Sequence, residues 1–110
     1  MWKIEFYPPG TDESPVADFL DSLPLTSLNK VRHTMRLLQE FGPQLRQPNS
    51  KKLTGYSKLF ELRTSGSSPV RLLYTVFNGK FIILHGFVKK TNLTPAKEIK
   101  TALSRMKLLT

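Results

Sequence analysis

Lysine and arginine residues interrupt three apolar, strand-like segments in the second half of the chain. The segments are KLFELRT, VRLLYTVF and KFIILHGFVKKT, which begin at residues 58, 70 and 80. Arg63 and Arg71 lie inside the first two segments, and Lys89 and Lys90 lie at the end of the third. Guanidinium and ammonium groups are well suited to binding phosphate. The first chemistry to consider is therefore the binding of a phosphate group on a sheet surface.

Positive charge is concentrated in the second half of the chain. Residues 1–50 contain five Lys/Arg and six Asp/Glu, whereas residues 51–110 contain twelve and two, so the net charge of +9 arises after residue 50. A field of this sign favours a polyanionic partner, with nucleic acid first and an acidic protein or membrane surface second. The alternative is a basic surface that serves only solubility.

Composition predicts one globular domain over residues 1–110. The chain is 39% hydrophobic and has no cysteine, which excludes a disulfide framework, a thiolate zinc site and a thiol nucleophile. The first residues include Glu5 and lack a long apolar stretch, and no segment reaches the length of a membrane span. We therefore expect a cytoplasmic protein that does not enter a membrane.

Hydrophobic periodicity and turn residues predict seven elements in the order β-α-α-β-β-β-α. Apolar residues alternate from 2 to 7, and they recur at helical spacing between Pro15 and Pro24 and again over 25–41. The three strand-like segments come next, and Thr94-Pro95 begins the last helix.

The pair Asn78-Gly79 between two apolar runs predicts a two-residue type I′ turn, because both central residues of that turn need a positive φ. The predicted pairs across this hairpin are Phe77 with Lys80, Val76 with Phe81, Thr75 with Ile82, Tyr74 with Ile83, Leu73 with Leu84, Leu72 with His85, Arg71 with Gly86 and Val70 with Phe87. Gly86 leaves open space beside Arg71, and strand alternation brings Lys90 to the same face. The register therefore predicts that Arg71 and Lys90 converge on one anion.

The strand that contains Arg63 is expected to direct this side chain to the same face as Arg71. In the segment FELR, Phe60 and Leu62 point to one face, and Glu61 and Arg63 point to the other. If the apolar pair joins the helix-covered face, Arg63 shares the open face with Arg71. The alternative is that Arg63 and Glu61 form an ion pair that solvates the sheet.

Histidine is a suitable proton carrier for RNA cleavage, and the chain has two. The predicted register puts His85 on the face of Leu72, Ile83 and Phe87, which favours an interior histidine over a catalyst. His33 lies within the second helix and is expected at the surface. Two histidines in different elements, with no cluster of Asp or Glu, argue against a metal site.

The second half of the chain resembles the RelE/ParE toxin superfamily, and in particular the phage Gp49-like and HigB-type toxins of type II toxin–antitoxin systems. The resemblance rests on LFELR at 59–63, RLLYTVF at 71–77 and HGFVKKT at 85–91, followed by the last helix. It implies an α+β, RelE-like fold with a small, mostly antiparallel sheet. Two N-terminal helices are expected on one face of this sheet, followed by a C-terminal helix.

The resemblance also implies a function, partners and site residues. It implies an mRNA interferase, a cytoplasmic endonuclease that cleaves mRNA in the 30S A site of the ribosome, needs no cofactor and is neutralised by a helix-turn-helix antitoxin of the HigA type. By position, Arg63 and Arg71 match basic residues that bind and activate the scissile phosphate. Lys90 matches a further basic residue, where relatives place an arginine. Some relatives have a tyrosine or histidine near the C-terminus, and this chain has neither after His85.

We hypothesise that the ribose 2′-hydroxyl attacks the adjacent phosphate and leaves a 2′,3′-cyclic phosphate and a 5′-hydroxyl. Arg63, Arg71 and Lys90 stabilise the charge of the transition state. RNA supplies its own nucleophile, so this reaction requires no metal. The candidates for proton transfer are Lys89, Lys90 and His85. The positions expected to bind RNA are Lys51, Lys52, Lys58, Phe87 and Lys89.

Two other functions remain open at the level of sequence. A ParE-like gyrase poison shares the fold and acts by binding a protein, and a noncatalytic module binds RNA or the ribosome without cutting. The convergence of several cations favours RNA cleavage over gyrase binding.

Overall fold

The structure, a computed structural model that describes residues 1–109, contains three α-helices and a five-stranded sheet. The elements are β1 (Ile4–Phe6), α1 (Pro15–Asp21), α2 (Leu25–Phe41), β2 (Ser50–Lys52), β3 (Phe60–Arg63), β4 (Val70–Phe77), β5 (Lys80–Val88) and α3 (Ala96–Lys107). The strand order is β1-β5-β4-β3-β2, with β1 parallel to β5 and the other neighbours antiparallel. The predicted α+β class is confirmed.

The sequence pattern does not predict strand β2. Its residues Ser50, Lys51 and Lys52 show no apolar alternation, because β2 is a short edge strand that forms by backbone pairing with β3. Lys51 pairs with Glu61, and Lys52 pairs with Phe60. The strand therefore directs its two lysines to opposite faces of the sheet.

Helices α1 and α2 cover one face of the sheet, as the resemblance implies. Ser14 caps α1 by accepting hydrogen bonds from the backbone nitrogens of Val16 and Ala17, at 3.1 and 3.3 Å. Helix α2 spans the predicted range 25–41, and its apolar stripe packs against the sheet. The buried apolar residues of this core are Val16, Leu20, Val31, Leu38, Leu62, Val70, Leu72, Tyr74, Phe81 and Ile83.

Helix α3 covers part of the opposite face. Ala102 is buried there, and the apolar residues Ile99, Leu103 and Met106 of α3 pack in the same core. The buried residues of this second core are Leu53, Leu59, Leu73, Ile82, Leu84, Phe87 and Ala102. Side chains on this face are therefore either packed under α3 or placed beside it.

The β4–β5 hairpin has the predicted turn but only part of the predicted register. Asn78 and Gly79 have φ angles of 52° and 74°, and the four pairs nearest the turn are as predicted. Beyond them the register shifts at a β-bulge, where Leu73 pairs with His85 and Leu84 is the extra residue. Each later residue of β5 is displaced by one position from its predicted partner.

The bulge corrects the predicted surroundings of Arg71. Arg71 pairs with Phe87, and Gly86 pairs with Leu72 on the face that α1 and α2 cover. A Cβ atom at Gly86 would lie 2.6 Å from the Phe19 ring and 2.8 Å from Leu72. The glycine therefore makes room for the Phe19 ring of α1, and the predicted open space beside Arg71 is wrong.

We expect Gly86→Ala to lower the free energy of unfolding by about 1–3 kcal/mol, because the added methyl group overpacks the contact with Phe19. Urea denaturation measures this change. Phe19→Leu should recover part of the loss when it is combined with Gly86→Ala, so that the double variant costs less than the sum of the two single variants. Strictly additive losses would show that Phe19 is not the cause.

Candidate active site

Arg63 and Arg71 face each other across the antiparallel strands β3 and β4. Their predicted common face is confirmed, because β3 and β4 keep an unbroken register in which Leu62 pairs with Leu72 and the arginines form the next pair. Two cations directly opposite each other on a sheet repel. A nearby anion is therefore needed to stabilise the pair.

The carboxylate of Glu61 lies between the two arginines. Its Oε1 is 3.5 Å from Nε of Arg63 and 3.6 Å from Nε of Arg71, and its Oε2 accepts a 2.5 Å hydrogen bond from the hydroxyl of Thr94. Glu61 is only 2% exposed. The alternative ion pair of Arg63 with Glu61 thus exists, but its carboxylate is buried, so the pair does not simply solvate the sheet.

The backbone also holds the Arg71 side chain in place. Its Nη1 donates hydrogen bonds to the carbonyl oxygens of Thr64 and Val70 at 2.8 and 3.1 Å, while its buried Nε has no hydrogen-bond partner within residues 1–109. Burial, and after it the charge of Arg63, lowers the pKa of Arg71, whereas Glu61 raises it. Because arginine keeps its charge in proteins, the site contains a buried cation with spare hydrogen-bonding capacity.

Lys89, and not Lys90, lies beside the arginines. The bulge shifts the alternation of side chains along β5 by one residue. Phe87 therefore pairs with Arg71, and Lys89, two residues after Phe87, lies on the same face of the sheet. The backbone nitrogen of Lys89 donates to the carbonyl oxygen of Pro69 at 2.8 Å. Burial is the main cause that lowers the pKa of Lys89, followed by the charge of Arg71. The predicted convergence of Lys90 with Arg71 is wrong, and Lys90 is exposed.

The other three lysines expected to bind RNA lie in different places. Lys51 pairs with Glu61 on the arginine face, and its charge is among the causes that lower the pKa of Lys89. Lys52 lies on the other face, where it lines a cavity of about 300 Å³. Lys58 is exposed just before β3. Only Lys51 belongs to the cluster around Glu61.

Phe87 and His85 pack under and beside α3. Phe87 is only 6% exposed, so its own ring is not available for a base to stack on, and its ring centroid is 5.9 Å from that of His85. Nε2 of His85 lies 2.9 Å from Oε1 of Glu98, which belongs to α3. The predicted placement of His85 away from Arg71 is wrong, because the bulge turns it to the same face. There it joins β5 to α3.

A cavity of about 670 Å³ adjoins the arginine pair, between α2 and the segment 64–69. Lys30 and His33 of α2 line it together with Arg63 and Arg71. His33 is exposed, as predicted, but the sequence gives no signal that it lies near the arginines, because they are separated by some thirty residues and belong to different elements. None of the lining residues is Asp or Glu.

The sequence pattern also does not predict the contacts of Glu61 with both arginines and of Thr94 with Glu61. Glu61 is one of only two Asp or Glu residues after residue 50. This rarity is the one signal in the sequence that its carboxylate pairs with the basic residues around it. The sequence predicted Thr94 only at the start of the last helix, yet its hydroxyl donates a hydrogen bond to Glu61 and makes no capping bond to α3. Glu61 thus contacts both arginines, and Thr94 holds Glu61.

Within residues 1–109, no three His, Asp or Glu side chains are grouped as metal ligands. No helix of that part of the chain has the length and apolar composition to cross a membrane.

Residues 18–107 match the family described as phage derived protein Gp49-like (DUF891). The match runs from within α1 to the end of α3 and includes the whole arginine cluster. The chain belongs to the Gp49-like family. Gp49-like proteins are toxins of the RelE/HigB type, so membership suggests a toxin of a toxin–antitoxin pair and implies an antitoxin partner. No curated protein matches this Gp49-like chain.

Proposed function

We propose that this Gp49-like toxin is a ribosome-dependent mRNA endonuclease that acts in the cytoplasm on mRNA in the 30S A site and is neutralised by a helix-turn-helix antitoxin of the HigA type. The observation that supports this most is the convergence of Arg63, Arg71 and Lys89 on one face of the sheet. Phosphoryl transfer depends mainly on positioning and charge stabilisation, and such a cluster can supply both.

The arginines bind the scissile phosphate in this proposal. Arg63 meets Glu61 through Nε, which leaves the two terminal nitrogens of its guanidinium for an anion. Arg71 is fixed by its hydrogen bond to the Thr64 carbonyl and by Glu61. Glu61 therefore orients both guanidinium groups before RNA binds, and this saves the entropy of ordering them in the complex.

Lys89 takes the proton of the attacking 2′-hydroxyl. Burial and the charges of Arg71, Arg63 and Lys51 lower its pKa, so more of it is neutral at a given pH than of an exposed lysine. Only the neutral amine accepts a proton. The fraction of Lys89 that can act as the base therefore rises with pH as long as the pH is below the pKa of Lys89.

The experiment is to map new mRNA 5′ ends on programmed ribosomes with the wild-type protein and two matched variants. Lys89→Met should lower the cleavage rate by about 10²-fold or more, because it removes the base. Lys90→Met removes the same charge from the neighbouring exposed position and should lower the rate much less. The expected products carry a 5′-hydroxyl and a 2′,3′-cyclic phosphate.

Other outcomes would contradict the proposal in distinct ways. Ribosome binding by the wild-type protein without new 5′-hydroxyl ends identifies a noncatalytic module. Trapped complexes of gyrase with cleaved DNA, found while the mRNA stays intact, identify a gyrase poison. Equal losses in the two lysine variants would remove Lys89 from the role of base.

A further inference from the structure

The cavity of about 670 Å³ beside the arginine pair has the chemistry of a nucleotide subsite. Its lining includes the cations of Lys30, Arg63 and Arg71, the side-chain amides of Asn29 and Asn49, and no carboxylate. Pockets of several hundred Å³ hold small ligands, and amides bind the edges of bases and sugars. The lining therefore fits an anion that carries hydrogen-bonding groups.

Arg63 and Arg71 contact two groups of residues, the cluster around Glu61 and the lining of the cavity. Lys89 and Glu61 surround them on the α3 face of the sheet, and the cavity adjoins them on the side of α2. Helix α2 packs on the sheet face opposite to α3. The two arginines therefore border both the cluster that contains Lys89 and the cavity that contains His33.

This placement matches the demands of an in-line displacement. The oxygen that attacks and the oxygen that leaves lie on opposite sides of phosphorus, so the groups that move their protons must also lie on opposite sides. Lys89 can serve only one of the two oxygens. His33 is the proton carrier that lines the cavity on the other side.

Resting on the proposed function, we propose that the cavity receives the nucleotide that leaves with its 5′-oxygen, and that His33 protonates this oxygen. The 2′-oxygen forms a bond to phosphorus and gives its proton to Lys89. The bond from phosphorus to the 5′-oxygen breaks, and the 5′-oxygen takes the proton of His33. Proton exchange with water restores both groups for the next cycle.

The charged groups that line the cavity together with His33 come from three elements. Lys30 belongs to the same helix, Arg63 belongs to β3 and Arg71 belongs to β4. Lys30 also donates a 3.2 Å hydrogen bond to the carbonyl oxygen of Ser65, which ties α2 to the segment 64–69 across the cavity. His33 is exposed, so its replacement leaves the core intact.

A leaving group that needs no proton tests this role. An mRNA with sulfur in place of the scissile 5′-oxygen leaves as a thiolate, and thiols are far more acidic than alcohols. His33→Gln should cleave the normal mRNA on programmed ribosomes about 10²-fold or more slowly than wild type, and should cleave the sulfur mRNA at a rate near that of wild type. Arg36→Gln, an exposed change on the same helix, should match wild type on both.

Each alternative result has a clear meaning. Equal slowing of His33→Gln on both substrates, or no slowing on either, overturns the assignment of His33 as the acid while leaving the proposed function in place. Failure of the wild-type protein to cut either mRNA overturns the proposed function and this assignment together. Far-UV circular dichroism checks that the variant is folded, and His33→Asn provides a second variant for the same comparison.

Discussion

Arg63→Gln is expected to lower the rate of mRNA cleavage by about two to three orders of magnitude, because it removes one of the two forked donors from the scissile phosphate. The fold should remain, since the Arg63 side chain is 26% exposed and Glu61 keeps Arg71 as its partner. Single-turnover cleavage on programmed ribosomes measures the effect. It should appear in the rate at saturating enzyme more than in the binding of ribosomes.

Arg32→Gln is the matched control for this prediction. Arg32 is an exposed residue of α2, and its replacement removes the same charge without touching the cluster. An equal loss in both variants would mean that the overall charge of the protein, and not the arginine pair, drives the reaction. Because Arg71 is nearly buried, its replacement confounds activity with stability, and Arg63 gives the cleaner test.

Glu61→Ala is expected to lower the free energy of unfolding by about 3–5 kcal/mol, since removing one partner of a buried ion pair leaves the others uncompensated. The change leaves Arg71 and Arg63 side by side without their shared carboxylate, and it leaves the Thr94 hydroxyl without its acceptor. Urea denaturation at neutral pH measures the loss. Glu61→Gln should cost less, because an amide oxygen still accepts the bond from Thr94.

Two controls separate the ion pair from general effects of losing a carboxylate. Glu40→Ala removes an exposed carboxylate of α2 and should change stability by only a few tenths of a kcal/mol, which is about the effect of a surface substitution. The double variant Glu61→Leu with Arg71→Met should regain much of the stability, because an apolar pair avoids the desolvation of the charges. A stability loss in Glu61→Ala no larger than in Glu40→Ala would show that the buried pair contributes little. The folded double variant should not cleave mRNA.

Local patterns predicted the parts of this fold that depend on neighbouring residues. The apolar stripe of α2 gave its range, and the Asn78-Gly79 turn gave the first four pairs of the hairpin. Such features follow from helix periodicity and from backbone sterics within a few residues. The alternation of side chains along β3 and β4 correctly predicted that Arg63 and Arg71 share one face of the sheet.

The features that the sequence pattern missed depend on contacts between distant segments. Strand β2 exists because the backbone of β3 offers it a partner. The bulge after Ile83 lets Leu84 and Phe87 enter the core under α3 while Gly86 meets Phe19 of α1, and strand alternation alone cannot show which of these contacts prevails. The cavity forms only where α2 approaches the segment 64–69.

By itself, the sequence determined that the basic strands of the second half form one sheet. Phosphate binding by their cations stays a prediction. The tertiary structure alone decided which lysine lies beside the two arginines. A one-residue shift at the bulge replaced Lys90 with Lys89 and brought His85 to the face of Arg71. Because side chains alternate along a strand, one extra residue exchanges the two faces for everything beyond it.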